Sequence, residues 1–520
     1  MASFRTTSIS LRDLIGLDGY IAFENLRDGT GDFGNINIHP PSAILHPKSV
    51  SDVSALITHV YGMGGTSNLT VAARGHGHSL RGQSQAYGGV VVMMEDLKSN
   101  RSPVVVVEGG GGGDVSVHAP YVDVAGGMLW VHVLEECLKY GLAPKSWTDY
   151  LYLSVGGTLS NAGVSGQALR HGPQISNVYQ LEIVTGKGQV VVCSPENEED
   201  LFFAALGGLG QFGIITGARI ALELAPKKVR WIRVLYSEFS TFAKDQEMLI
   251  ASTGGANGSG FDYMEGFVIK NRKGILNTWR SFLNPKDPVQ ASQYESDGKT
   301  LFCLELTKYL YPGSDSDADS QQIDDILSKL RYIPSTMFQS EVSYFDFLNR
   351  VHPAEIKLRE KGLWDVPHPW LNLLVPSSYV HFFADEVFGN ILTDSTNGPI
   401  IIYPVNRATW NERTSAVIPE EDAVFYMVAF LTSVTSKAGF ANAMEQNDRI
   451  LEFCLRSSIP VKQYLPHYTS EEDWKTHFGK KWDLLVERKF KYDPLAILAP
   501  GQRIFQRTLV EPTTHLLTTI

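Results

Sequence analysis

The run Val71–Ser79, Val-Ala-Ala-Arg-Gly-His-Gly-His-Ser, constrains this chain more than any other stretch. A short apolar run after a polar turn predicts a strand over Leu69–Ala73, and two glycines then interleave two histidines. Glycine lacks the Cβ that screens main-chain N–H groups, so such a loop can close on a phosphate or a flat ring while an imidazole stays free to react. A tight turn carrying two hydrogen-bonding histidines is the simpler alternative. A second glycine-rich stretch, Ser154–Gly166, repeats the theme with Gly156, Gly157 and Gly163.

The two loops narrow the chemistry by what they lack. No Gly-x-Gly-x-x-Gly fingerprint lies convincingly between a strand and a helix, and the five glycines Gly109–Gly113 are expected to be a flexible hairpin connection rather than a dinucleotide turn. A persuasive nucleophile elbow and a His-Glu-x-x-His helix are also missing. What remains is a cofactor held by non-Rossmann glycine loops. Gly75, Gly77, Gly156, Gly157 and Gly163 allow close backbone approach, and Ser79, Gln83, Ser154, Thr158 and Ser160 supply hydrogen bonds; turn chemistry alone is the competing role for any one serine.

Around these loops the chain reads as α+β. A helix is expected over Ser49–Tyr61 and another over Met128–Tyr140, with strands at Val90–Met94, Val104–Val107 and Tyr121–Ala125. Val178–Thr185 and Gln189–Cys193 flank Gly186-Lys187-Gly188, a hairpin signal, and strands follow at Phe212–Thr216 and Ala218–Leu224. Near Pro226 glycine thins and aromatic residues thicken (Trp231, Tyr236, Phe239, Phe261, Tyr263, Phe267, Trp279). Helices are expected over Ser240–Ala251 and Asp319–Leu330, strands over Ile232–Tyr236 and Cys303–Leu310, with Ser316–Gln321 as a polar connector. The division that follows is residues 1–225 as a first domain, 226–473 as a second, and 474–520 as a segment rejoining the first.

With 520 residues the chain is long enough for two buried cores. A formal charge of -11 and the lack of a basic tract argue against a nucleic-acid partner. Cys137, Cys193, Cys303 and Cys454 stand far apart and are expected to be buried free thiols, with no metal site. The first residues lack an apolar signal core and no stretch approaches about 20 apolar residues, so a place in the cytosol, off the membrane, is the expectation; with no coiled coil or obvious exposed apolar stripe in the sequence, a monomer is expected. Asn68-Leu69-Thr70 and Asn257-Gly258-Ser259 then mean no more than loops.

Six motifs together resemble the cytokinin dehydrogenases, within the vanillyl-alcohol-oxidase (VAO)/PCMH-type FAD enzymes. They are Arg-Gly-His-Gly-His-Ser at 74–79, Trp-Thr-Asp-Tyr-Leu at 147–151, Val-Gly-Gly-Thr-Leu-Ser-Asn-Ala-Gly-Val-Ser-Gly at 155–166, Trp-Asp-Val-Pro-His-Pro-Trp-Leu-Asn at 364–372, Tyr-Leu-Pro-His-Tyr at 464–468 and Gly-Gln-Arg-Ile-Phe at 501–505. The resemblance spans nearly the whole chain. It implies a two-domain FAD-binding fold with a substrate-binding cap, and FAD bonded covalently to His78, with His76 in a loop role. Residues expected to hold the flavin are Ala73, Arg74, Gly75, His76, Gly77, His78, Ser79, Gln83, Asp149, Ser154, Ser160, Val164, Ile214, Tyr464 and Gln502.

The same resemblance makes Asp149 the catalytic carboxylate and Glu265 a second acid that orients it or binds the substrate side chain. A carboxylate there can accept the N6 proton of a cytokinin while hydride leaves the adjacent carbon; partial burial would raise its basicity, provided no strong cation adjoins it. Val351, Glu355, Trp370, Asn372 and Leu465 are expected to wall the substrate pocket. Members of the family place a glutamate three residues after the valine, where this chain has Ala354 and carries Glu355 next door. The implied reaction cleaves the N6-isoprenoid chain to adenine and an aldehyde and delivers electrons to a quinone-like or other acceptor. Competing readings are a carbohydrate or aromatic-alcohol oxidase on the same covalent-flavin fold, and a flavin-free cytokinin-binding protein.

Overall fold

The computed structural model describes residues 11–97, 102–107, 120–253, 260–270, 300–313, 316–393 and 398–507. The glycine run 109–113, the Asn257 triplet, Trp279 and the last residues of the tail lie outside them. The architecture is α+β, with three sheets among the described residues.

The first sheet holds β1 (Tyr20–Ala22), β2 (Ala43–His46), β3 (Val71–Arg74) and β4 (Val90–Met93) in the order β1-β2-β4-β3. Strand β4 runs parallel to both β2 and β3 and is buried on both sides, which is why Val90, Val91 and Val92 form a continuous apolar run rather than an alternating one. The crossover from β2 to β3 is the helix Val50–Gly62. Ser49 caps it by accepting from Asp52 N, and the buried Asp52 carboxylate accepts in return from Ser49 N and also from Lys48, Gly19 and Asp18 N. One side chain thereby ties the entry of the chain to the first crossover.

The second sheet holds β5 (Val104–Val106), β6 (Tyr121–Ala125), β7 (Leu142–Pro144), β8 (Val178–Thr185), β9 (Val190–Cys193) and β10 (Gly213–Leu224), ordered β5-β6-β10-β8-β9 with β7 also on β10. The two strands expected across 212–224 are one, kept continuous by register shifts at Ile215/Gly217 and Arg219/Ile220.

The third sheet is the cap: β11 (Lys228–Tyr236), β12 (Tyr263–Ile269), β13 (Leu301–Leu310), β14 (Phe338–Ser343), β15 (Leu371–Pro376), β16 (Ile400–Asn406), β17 (Val424–Phe430) and β18 (Lys462–Gln463). Its order is β14-β11-β13-β12-β16-β17-β15-β18. Its outer face packs Ile232, Leu304, Ile402 and Val428 with the helices of its own domain. Its inner face, Trp231, Tyr263, Ile401, Tyr403 and Met427, shares a core with Trp130, Trp147 and Leu159 of the first domain. Two-sided burial explains the aromatic thickening after Pro226. The expected connector Ser316–Gln321 instead opens the helix Ser316–Leu327, whose buried apolar residues Ile323 and Leu327 stand in the turns that follow it.

Beyond residue 474 the helix Trp482–Tyr492 leads back to the first sheet, where Val71 N donates to Ile497 O at 2.8 Å and Ile497 and Leu498 join the core of β2, β3 and β4. All four cysteines are buried and free. Among the described residues no helix is long and apolar enough to cross a membrane.

Substituting Asp52→Ala strands four backbone donors at once and should cost roughly 2–4 kcal/mol of stability. A urea melt checks this; an unchanged midpoint contradicts the role given to Asp52.

Candidate active site

A cavity of about 410 Å³ lies between the two glycine loops and the inner face of the cap sheet. Strand β3 delivers the first loop. Beyond Arg74 the chain turns out of the ladder, and Gly75 comes so close to Ser154 that a Cβ would sit 1.9 Å from its hydroxyl. Gly77 has φ +70°, a conformation that a side chain opposes. This left-handed residue ends the extended alternation, so His76 and His78 have different surroundings. His76 Nδ1 lies 2.8 Å from Glu95 Oε1.

His78 stacks on Phe33 with ring centroids 3.8 Å apart and lies 4.9 Å from the ring of Tyr150. Phe33 in turn stacks on His368 at 4.0 Å. Burial, reinforced by His76, His368 and Arg359, holds the His78 imidazole well below its ordinary titration range. The ring is therefore neutral at physiological pH, with a nitrogen lone pair available. His368 is fixed by Ser433 Oγ at Nδ1 (2.9 Å) and Trp364 O at Nε2 (2.8 Å), and burial lowers it to about 4.

Ala73, Gly75, His76, Gly77, His78, Ser79, Gln83, Ser154, Ser160, Val164, Ile214, Tyr464 and Gln502 all reach the cavity wall, as does Asp149. Arg74 does not. Its guanidinium turns away to Gly31 O and Ser84 Oγ, so the first loop contributes backbone and imidazole rather than a cation. Ser160 donates to Gly156 O at 2.7 Å, and Gly163 N donates to the Tyr464 hydroxyl at 3.2 Å, which joins the second loop to the strand beside Gln463.

The opposite wall comes from the cap. The strand period of two places Ile401 and Tyr403 of β16, Met427 and Ala429 of β17 and Asn372 of β15 on one face, and pairing sets Ile401 and Asn372 on either side of Ala429. Val351, Leu358, Trp364, Trp370 and Leu465 complete a largely apolar enclosure. Asp149 is the one carboxylate among the described lining residues.

Two expected site acids are elsewhere. Glu265 is fully buried behind this wall, its Oε2 3.9 Å from Arg350 Nη2, so it faces a guanidinium and not the cavity. Glu355, in the helix Val351–Glu360, is taken up by partners on both sides of the seam: it accepts from the Tyr150 hydroxyl (2.6 Å) and, within the helix, from Arg359 Nε (2.8 Å), and it pairs with His352 Nδ1 (3.0 Å). It braces Tyr150 against His78 and does not wall the pocket. A cation does adjoin Asp149, since Arg350 Nη2 donates to its Oδ1 at 3.0 Å. Sequence reasoning missed Arg350, Phe33 and Trp364. For Arg350 the available signal was the pair of acids, Asp149 and Glu265, that required a buried counter-charge.

Comparison with known proteins defines the class. Residues 41–194 match the family model described as FAD binding domain, and a VAO-type flavoprotein of Myceliophthora thermophila C1 shares the fold with TM-score 0.63 at 16% identity, over 95% of this chain and 87% of that one. The molecule is a two-domain FAD enzyme of the VAO/PCMH type.

Residues 226–505 match the model described as cytokinin dehydrogenase 1, FAD and cytokinin binding. Cytokinin dehydrogenase 9 of Oryza sativa subsp. japonica is 59% identical over 96% of this chain and 92% of its own length, and cytokinin dehydrogenase 1 of Arabidopsis thaliana is 57% identical over 98% and 85%. The chain belongs to the cytokinin dehydrogenase family, whose activity is FAD-dependent cytokinin oxidation.

The residues present fit a flavin. Gln502 Oε1 and Trp370 Nε1 are buried on the cavity wall with no hydrogen-bond partner among the described residues, and the Gly75 and Gly77 backbone is open where side chains would intrude.

Two outcomes follow. Gly75→Ala drives a methyl into Ser154 and should strip the yellow flavin from purified protein, whereas Ser154→Gly in the same chain should restore part of the colour; retention of flavin by the single variant contradicts the close approach. Because burial lowers His368 from 6.5 to about 4, the unfolded chain takes up its proton first as pH falls. Stability is lost from about pH 6.5 down through 4, by roughly 3 kcal/mol for this ring. Urea melts at pH 7 and 4.5 should show a smaller acid loss for His368→Gln than for the parent.

Proposed function

We propose that this protein cleaves the N6-isoprenoid side chain of cytokinins, giving adenine and a side-chain aldehyde, with the flavin tethered covalently to His78. The observation that carries the substrate reading is Asp149, one carboxylate in a largely apolar slot bounded by Trp370, Tyr403 and Met427. A planar purine satisfies the apolar walls, and its exocyclic N–H gives the carboxylate a partner.

When bound, FAD supplies the two-electron acceptor for hydride leaving the carbon attached to N6. Asp149 takes the N6 proton as that hydride departs, so electrons and protons balance in an imine; water adds to the imine carbon and releases adenine and aldehyde. Trp370 and Leu465 exclude bulk water from the oxidation, and Asn372 offers an amide for the purine edge. The neutral His78 ring supports the tether: an imidazole with a lone pair attacks an activated methyl carbon, whereas an imidazolium does not. A quinone-like or other acceptor closes the cycle.

The test is turnover of N6-isopentenyladenine with a soluble quinone, with products identified by mass spectrometry and the protein then denatured in acid. Adenine, 3-methylbut-2-enal and colour retained on the chain are expected, and His78→Ala should release the colour. Colour without cleavage of the purine moves the substrate elsewhere; colour lost from the parent chain on denaturation removes the tether.

A further inference from the structure

Three charged residues lie in one row across the middle of the cap sheet. The pairing of β11 with β13 sets Arg233 opposite Glu305, and that of β12 with β13 sets Glu265 opposite Glu305. All three are buried on the inner face, among Trp231, Tyr263 and Tyr309. Arg233 Nε donates to Glu305 Oε2 at 3.1 Å.

Arg350, at the start of the helix Val351–Glu360 and itself buried, extends the row into the first domain. Its Nε lies 4.0 Å from Glu305 Oε1 and its Nη2 lies 3.9 Å from Glu265 Oε2 and 3.0 Å from Asp149 Oδ1. The guanidinium also donates to the Tyr263 hydroxyl and to Phe347 O, and stacks over the Phe347 ring. Buried ion clusters are weak sources of stability, because desolvation offsets their attraction. Their geometry is a stronger argument for them than their energy.

Asp149 needs such a geometry. It sits in the coil 147–151, outside every helix and strand, so no ladder fixes its side chain. Arg350 is the link from that coil to the rigid cap sheet. Shared among Asp149, Glu265 and Glu305, its charge orients the Asp149 carboxylate without being devoted to it alone.

We propose that Arg350 is a positioning residue: it holds Asp149 by Oδ1 at the angle from which the carboxylate meets the substrate N–H, and Glu265, Glu305 and Arg233 hold Arg350 in turn. Glu265 acts on the reaction through this chain of contacts rather than by touching substrate. The inference rests on the reading that Asp149 accepts the N6 proton.

The test measures flavin reduction by N6-isopentenyladenine in anaerobic stopped flow, using flavin-loaded parent, D149N, R350Q and the D149N/R350Q double variant. R350Q should slow reduction about 10- to 100-fold when Asp149 is present and less than about threefold when it is Asn, because its effect passes through Asp149. Equal slowing in both backgrounds, or none, overturns the proposal while leaving Asp149 its role. A parent-like rate for D149N overturns the reading of Asp149 itself and the proposal with it. R350K, which keeps the buried charge but not the planar fork, gives the same comparison if R350Q does not accumulate as folded flavoprotein.

Discussion

Everything at the site depends on the seam where the inner face of the cap sheet closes on the two glycine loops. That face must do two things at once: share an apolar core with Trp130, Trp147 and Leu159, and stand back far enough to leave the cavity. Alternation along the strands solves the first requirement, since every second residue of β16 and β17 enters the outer core and the residues between face the first domain. Glycine solves the second. The approach of Gly75 to Ser154 removes side-chain bulk at the one place where the loops would otherwise fill the space.

The rings around His78 show how packing becomes chemistry. Phe33, from the loop before β2, lies between His78 and His368, so three flat rings from distant parts of the chain form one stack. Their burial holds both imidazoles below their ordinary titration range, so each ring keeps a nitrogen lone pair into mildly acidic solution. Tyr150 supports the other side of His78 and is itself held by Glu355. A carboxylate outside the cavity lining thus stiffens the wall beside the first glycine loop.

Features written in local patterns were legible in the sequence. The capping serine before Val50, the hairpin around Gly186-Lys187-Gly188, the strand ahead of Arg74 and the glycine loops each depend on a few adjacent residues, and the structure has them where those residues stand. Positions set by long-range packing were not. Glu355 follows Ala354 in a motif that suggested a pocket wall, but three donors surround its carboxylate and turn it away. Arg350 gave no local signal, since its partners Asp149, Glu265 and Glu305 come from separate segments. Glu265 is buried because strand register, not neighbouring sequence, decides which face it takes. Ser316–Gln321 is polar yet helical, since the turns after it supply the buried apolar face of the helix.

The proposed reaction turns on one placement: a planar purine held in the seam with its exocyclic nitrogen toward Asp149. A crystal structure of the flavin-loaded protein with a slowly reacting N6-substituted adenine measures it directly. The account predicts an N6 to carboxylate distance of about 3 Å, with the purine against Trp370, Tyr403 and Met427. A purine bound with N6 turned from Asp149, or outside the seam, would contradict it.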